Sequence, residues 1–170
     1  MKITGGTLRG RVVPGSVPKG VRPTSSRVRE AMFSMVGQEL QGITVLDGFA
    51  GSGLLTFEAA SRGATVTTVE RNRRVARQLR ERAADLGVTL DLRVGDARDT
   101  LSSGGWDIVI LDPPYADDAV RGSLQAYPAV RATPTGEPAA ARSLWVTATC
   151  ALARPMTSLS RPWRSVPIPV

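Results

Sequence analysis

The sequence predicts an α/β protein built on a parallel sheet with crossover helices, and three observations carry that reading. Between residues 43 and 111, short apolar runs alternate with helical periods in near-regular turn, the pattern of parallel strands joined by crossover helices. Two glycines, Gly51 and Gly53, stand between the first of these strands and the next helix. An acid, Glu70, ends the second strand twenty-three residues after Asp47.

The elements follow in order. Ile3 to Thr7 and Arg9 to Val13 flank glycines and read as the arms of a hairpin. Val28, Ala31, Met32, Met35, Val36 and Leu40 recur at helical spacing behind the caps Ser25 and Ser26, which predicts a helix over 26–40. Ile43 to Asp47 is a buried strand, Leu54 to Arg62 a helix, Thr65 to Glu70 a strand, Arg73 to Leu86 a helix, Leu90 to Val94 a strand and Trp106 to Leu111 a fourth strand. Soon after Asp118 the periods stop. Seven of the twelve prolines lie beyond residue 119, and only Ser143 to Cys150 reads as a strand there. The closely spaced prolines near the end cannot donate to a ladder and predict an extended segment. Three segments result: an N-terminal hairpin and helix (1–40), a core (41–118), and an atypical, poorly ordered or aberrant tail (119–170) that leaves the sheet short of strands. The abrupt gain of Pro, Ala, Ser, Thr and Arg is what a frame change in a GC-rich gene would produce.

Composition narrows the chemistry. The 170 residues include no His and one Cys, Cys150, which excludes Ser-His and Cys-His nucleophile systems, His-ligated metals and an intrachain disulfide. No metal site is expected. No apolar run approaches the roughly 18 residues of a membrane span, and the first residues lack the apolar core of a signal peptide, so a cytoplasmic protein without membrane contact is expected. There are 22 Lys+Arg against 15 Asp+Glu. The balance is +5 over 1–40, −3 over 41–118 and +5 over 119–170, which suits a core that meets a cationic ligand behind an arm that meets a polyanion.

The glycine turn and Glu70 imply a nucleoside-bearing cofactor, with the carboxylate accepting from ribose hydroxyls. A nicotinamide dinucleotide uses the same crevice, but the third glycine of its usual turn is missing after Gly53. Asp47 precedes the glycines and Asp96 follows the third strand. Carboxylates at several strand ends suit a cation better than a pyrophosphate, and S-adenosyl-L-methionine is such a ligand. The fourth strand delivers Asp112-Pro113-Pro114-Tyr115 to the same edge. The prolines fix φ and remove two amide donors, leaving the Asp112 side chain and the Pro113 carbonyl as rigid acceptors for an exocyclic amine, with Tyr115 as a stacking face for its base. Cys150 lies outside any Pro-Cys turn, which argues against methylation at a pyrimidine ring carbon.

These segments add up to a resemblance. Ile3-Thr4-Gly5-Gly6 with Leu8-Arg9-Gly10-Arg11, Arg22-Pro23-Thr24 with Arg27 to Phe33, Asp47 to Gly53, Glu58 to Ala64, and Asp112 to Tyr115 make residues 1 to about 118 resemble the bacterial 16S rRNA (guanine-N2)-methyltransferases of the class I S-adenosylmethionine-dependent family. The resemblance implies a Rossmann-like sheet and methylation of a guanine N2 in 16S rRNA of the small ribosomal subunit by a monomer. It implies that Asp47, Phe49, Gly51 and Gly53 line the cofactor, Glu70 holds its ribose, and Asp96 with Ala97 meets the adenine. Asp112, Pro113 and Tyr115 would hold the guanine, and Arg9, Arg11, Arg22, Arg27 and Arg29 would meet rRNA phosphates. The rival from another class is a non-catalytic RNA- or cofactor-binding remnant with a damaged C-terminal half. A DNA adenine methyltransferase, which shares Asp-Pro-Pro-Tyr, would need a target-recognition domain for which 170 residues leave no room.

Overall fold

The computed structural model describes residues 1–15, 25–101, 103, 105–112 and 144–147. Its sheet has five parallel strands: β1 (Thr44–Asp47), β2 (Thr65–Glu70), β3 (Asp91–Val94), β4 (Ile108–Leu111) and β5 (Leu144–Thr147). They lie in the order β3-β2-β1-β4-β5. Helices α1 (Ser26–Val36), α2 (Leu54–Ser61), α3 (Arg73–Leu86) and α4 (Ala97–Leu101) complete the described elements. The tail does contribute to the sheet: β5 falls inside the expected strand 143–150 and pairs with β4 from Ile108↔Leu144 to Leu111↔Thr147.

Both faces of the sheet are covered, which is why β4 is wholly apolar and buried and why Val45 and Leu46 of β1 are both buried on opposite faces. On one face Val45, Val66, Ile108 and Ile110 pack with Met32 and Phe33 of α1 and Leu55 and Ala59 of α2. On the other, Leu46, Val69, Val109 and Leu111 pack with Ala97 and Leu101 of α4. A third cluster joins Ile3 and Val13 of the N-terminal arm to Leu54 and Phe57 of α2 and Leu79, Ala83 and Leu86 of α3. The arm closes as a short hairpin, with Lys2 bridged to Val12 and reciprocal bonds between Ile3 and the Gly10–Arg11 segment.

Local chemistry sets the boundaries. The Ser25 side chain accepts from the Val28 amide and starts α1. The helix ends at Val36 rather than near residue 40, because Gly37 turns the chain at φ +118°. Leu40 still reaches the core, from the following loop, at 1% exposure. Asn72 caps α3 by accepting from Arg74 and Val75, and Gly87 closes it in the left-handed region. The five residues of α4 are too few to show a period; its start is marked only by Asp96, which accepts from the Arg98 amide at 2.9 Å.

One polar cluster ties the arm, α1 and α2 together. Glu58 of α2 is fully buried and ion-paired to Arg29 of α1 at 3.2 Å and to Arg62, just past α2, at 3.5 Å. Its remaining capacity is used by Thr4, whose amide donates at 2.8 Å and whose hydroxyl donates at 3.2 Å. Arg29 also donates to the Lys2 carbonyl at 2.9 Å, and the Arg62 guanidinium lies 4.5 Å over the Phe33 ring. Breaking one side of a buried ion pair strands the other charge, at a cost of roughly 3–5 kcal/mol. Glu58→Ala, which strands two, is expected to lose at least that much in urea unfolding. Exposed Glu81→Ala, which breaks only the surface pair with Arg77, is expected to change stability by less than about 1 kcal/mol.

Candidate functional site

Because the strands are parallel, the carboxyl ends of β1, β2, β3 and β4 all open on one edge of the sheet. Strand order reverses between β1 and β4, and ligands of open α/β sheets bind in the crevice at such a point. Asp47, the last residue of β1, is in register with Thr68 of β2 and Ile110 of β4. Glu70 and Asp112 each stand two residues further along those neighbours, so three carboxylates flank the crevice.

Asp47 is the most unusual of them. It is completely buried, its Oδ2 accepts from the Thr56 hydroxyl of α2 at 2.7 Å, and its Oδ1 has no hydrogen-bond partner among the described residues. Burial pushes its carboxyl up to about 6, against the Thr56 hydroxyl and the Phe49 amide, which lower it; the negative charges of Asp112 and Glu70 push it further up. A half-satisfied buried carboxylate at a crevice is a place where a cationic or hydrogen-bond-donating ligand gains most.

The β1–α2 turn is shaped by contacts on both sides. Glu70 reaches across it, accepting from the Gly51 amide at 3.0 Å and from the Asn72 amide at 2.8 Å. Gly51 turns at φ +50° and a Cβ there would meet nothing closer than 3.8 Å, so it is demanded by conformation. Gly53 is demanded by packing as well: at φ +78°, a Cβ would come within 2.4 Å of Leu79 and 2.7 Å of Phe57. Gly48 has an ordinary φ, but a Cβ would stand 2.8 Å from Leu111 and 3.2 Å from Ala97, so it lets β1 pass tightly beside β4 and α4.

Asp96 stands at the start of α4, forked by Arg98 through Nε at 3.0 Å and Nη2 at 2.6 Å, which holds its carboxyl below the usual range. The Ala97 methyl is buried among Leu46, Val69 and Leu101, so only the backbone of this residue is left to face a ligand. Phe49 is half-buried against the same cluster. Pro113 and Tyr115 lie outside the described residues, as does Arg22.

The N-terminal arginines separate. Arg9 and Arg27 are exposed. Arg11 is exposed but donates to the Asp85 and Leu86 carbonyls at 2.9 and 3.3 Å, tying the hairpin to the carboxyl end of α3. Arg29 corrects the expectation of a phosphate contact: it is 4% exposed and its guanidinium is spent on Glu58 and Lys2. Two residues not anticipated from the sequence shape the site. Thr56 holds Asp47, and its only signal was a hydroxyl in an otherwise apolar stretch of α2. Arg82 of α3 donates to the Ser52 carbonyl at 2.8 Å and braces the glycine turn; nothing in the helical period marks it.

The fold defines the class: a Rossmann-like sheet of the class I methyltransferase type, with the β1/β4 crevice as its candidate site. A family model described as conserved hypothetical protein 95 matches residues 1–131, and the chain belongs to that family. Among its relatives are proteins named ribosomal RNA small subunit methyltransferase D. The one from Escherichia coli (strain K12) is 39% identical over 120 residues, covering 68% of this chain and 60% of that protein. The one from Haemophilus influenzae is 36% identical over 123 residues, covering 68% of this chain and 64% of that protein. The chain thus spans less than two thirds of the length of these curated relatives. The solved structure of the yhhF protein of Escherichia coli is 36% identical with a TM-score of 0.65, covering 74% of this chain and 71% of that one. No helix among the described residues is long and apolar enough to cross a membrane.

The raised Asp47 carboxyl makes stability depend on pH. Between about pH 4 and 6 the folded protein keeps a proton here that the unfolded chain has lost, so this group's contribution falls as pH rises through the window and stays lost above it. Asp47→Asn removes the effect. Its stability relative to the parent, from urea unfolding, is expected to rise across that window, reaching a gain of about 3 kcal/mol near pH 8. A pH-independent difference would contradict the assignment.

Proposed function

We propose that this chain transfers a methyl group from S-adenosyl-L-methionine to the exocyclic N2 amine of a guanine in 16S rRNA of the small ribosomal subunit. The observation that carries the reading is the Glu70 carboxylate bonded across the glycine turn beside the buried, half-satisfied Asp47. The relatives named as small-subunit rRNA methyltransferases supply the nucleic acid.

The residues fit such a cofactor. Glu70, which accepts from the Gly51 and Asn72 amides, has lone pairs left to accept from the two ribose hydroxyls as well. Asp47 offers its unpaired oxygen to a donor, and three carboxylates around one crevice favour a ligand of positive charge over one bearing phosphates. The Asp96–Ala97 backbone at the head of α4 would meet the adenine edge. When bound, S-adenosyl-L-methionine supplies a methyl group activated by its positive sulfur. The chain's part is positioning: Asp112 and the Pro113 carbonyl accept the two amine protons, which aims the nitrogen lone pair at the methyl carbon, while Tyr115 stacks the base. Asp112 stands directly after β4, the strand adjoining Asp47. On this reading cofactor and amine occupy opposite banks of one crevice.

The second reading, a non-catalytic binding remnant, draws on the change of composition after residue 118. Radiolabelled S-adenosyl-L-methionine with unmethylated small subunits separates the two. Label is expected at a guanine N2 with the parent chain and is expected to fall at least 100-fold with Asp112→Ala, while calorimetry shows cofactor affinity within about threefold. A parent chain that binds cofactor yet transfers nothing, beside a working relative, establishes the remnant. Glu70→Ala is expected to weaken cofactor binding by roughly 10- to 100-fold, the scale of hydrogen bonds to a charged group.

A further inference from the structure

Helix α3 carries Arg73, Arg77 and Arg80 at spacings of four and three residues, so the three share one face. Arg73 and Arg80 are exposed and stand about 10 Å apart along the helix axis. With Arg71 from the β2–α3 turn and Val94 and Gly95 from the end of β3, they line a groove of about 530 Å³. No acid lines it. The acids nearby are paired: Glu81 with Arg77, Asp91 with Arg93 and the Thr67 hydroxyl, and Asp96 with the Arg98 fork, where Arg71 adds its charge.

Strand β3 is the outermost strand of the described sheet, and the Gly95 amide beside the groove donates to the Glu70 carbonyl at 3.2 Å. Val94, 42% exposed, makes a small apolar floor too slight for a protein partner. The guanidinium groups of Arg73 and Arg80, each able to fork two oxygens and about 10 Å apart along the helix, match successive phosphates of a run. The groove abuts the proposed site: Arg71 follows Glu70 directly and Gly95 precedes Asp96.

We infer that this groove holds the phosphate backbone of the RNA substrate, as a contact distinct from the N-terminal arm. The inference rests on the rRNA reading above for the identity of the polyanion. The groove lies at the same carboxyl edge of the sheet as the β1/β4 crevice, with β2 and β1 between it and β4. Phosphate contacts of this kind set register and orientation without reading sequence.

The test uses the full chain and an RNA hairpin of about 20 nucleotides, titrated by fluorescence anisotropy from about 50 to 200 mM KCl. Arg73→Gln/Arg80→Gln is expected to weaken binding by tenfold or more at the lowest salt. It should also flatten the dependence of log affinity on log salt by about 1 to 2. Each single variant should flatten it by about 1, and Arg73→Lys/Arg80→Lys should restore most of the slope. Cofactor affinity by calorimetry should stay that of the parent in every variant. An unchanged RNA affinity and slope overturns the inference, and so does a loss of cofactor affinity with RNA binding intact, which would assign the groove to the cofactor. A parent chain that shows the Arg-dependent slope but binds no S-adenosyl-L-methionine leaves the groove standing and removes the methyltransferase reading.

Discussion

Everything in the N-terminal half leans on one buried carboxylate. Glu58 lies inside the protein between two guanidinium groups, and it is the point where the hairpin, α1 and the carboxyl end of α2 meet. Desolvating three charges is costly, and the geometry has to return that cost through hydrogen bonds on nearly every available atom. The fit leaves little slack. A Cβ on Gly5 would fall 2.4 Å from the Arg62 guanidinium, and one on Gly6 would fall 1.9 Å from the Ser61 carbonyl. The arm is therefore docked by a specific polar lock as well as by Ile3 and Val13, and a hydrophobic substitute would hold it without fixing its orientation.

That lock matters to the site because α2 connects the two. Its amino end begins at the glycine turn and carries Thr56 against Asp47; its carboxyl end carries Glu58 and Ser61 against the arm. A shift of α2 by an ångström would move Thr56 off Asp47 and loosen the turn that Arg82 braces from α3. The site in turn works against stability. Asp47 sits in the dry end of β1 with two other carboxylates nearby and one oxygen unsatisfied, an arrangement that a folded chain keeps only when the rest of the core supports it. The lock at one end of α2 and the strained charge at the other are two parts of the same design.

Charge is sorted spatially rather than along the chain. The carboxylates of β1, β2 and β4 collect around the crevice, whereas the arginines of α3 and the β2–α3 turn collect beside it. A cationic small molecule and a polyanion can then occupy adjoining surfaces without competing for the same field. The overall excess of Arg, which composition alone does not localise, acquires a direction only in the folded chain: Arg29, Arg62 and Arg82 turn inward, and Arg71, Arg73 and Arg80 outward.

What the sequence by itself determined was local: the succession of strands and helices from Ile43 to Leu111, the cap at Ser25, the turn between Asp47 and Gly53, and the acids that end β1 and β2. These follow from hydrophobic period and backbone preference, which act over a few residues. Where the local signal conflicted, it misled by a turn, as when Leu40 kept a helical period although Gly37 had already ended α1. The tertiary structure alone decided the rest. It placed β4 beside β1 and so made the crevice, gave Gly53 and Gly48 their steric reasons, and set the strand expected in the tail beside β4. It also turned Arg29 from an expected phosphate contact into a buried partner of Glu58, twenty-nine residues away. The physical reason is common to all of these: burial, ion pairing and close packing are set by residues distant in the chain, and no window of sequence contains both partners.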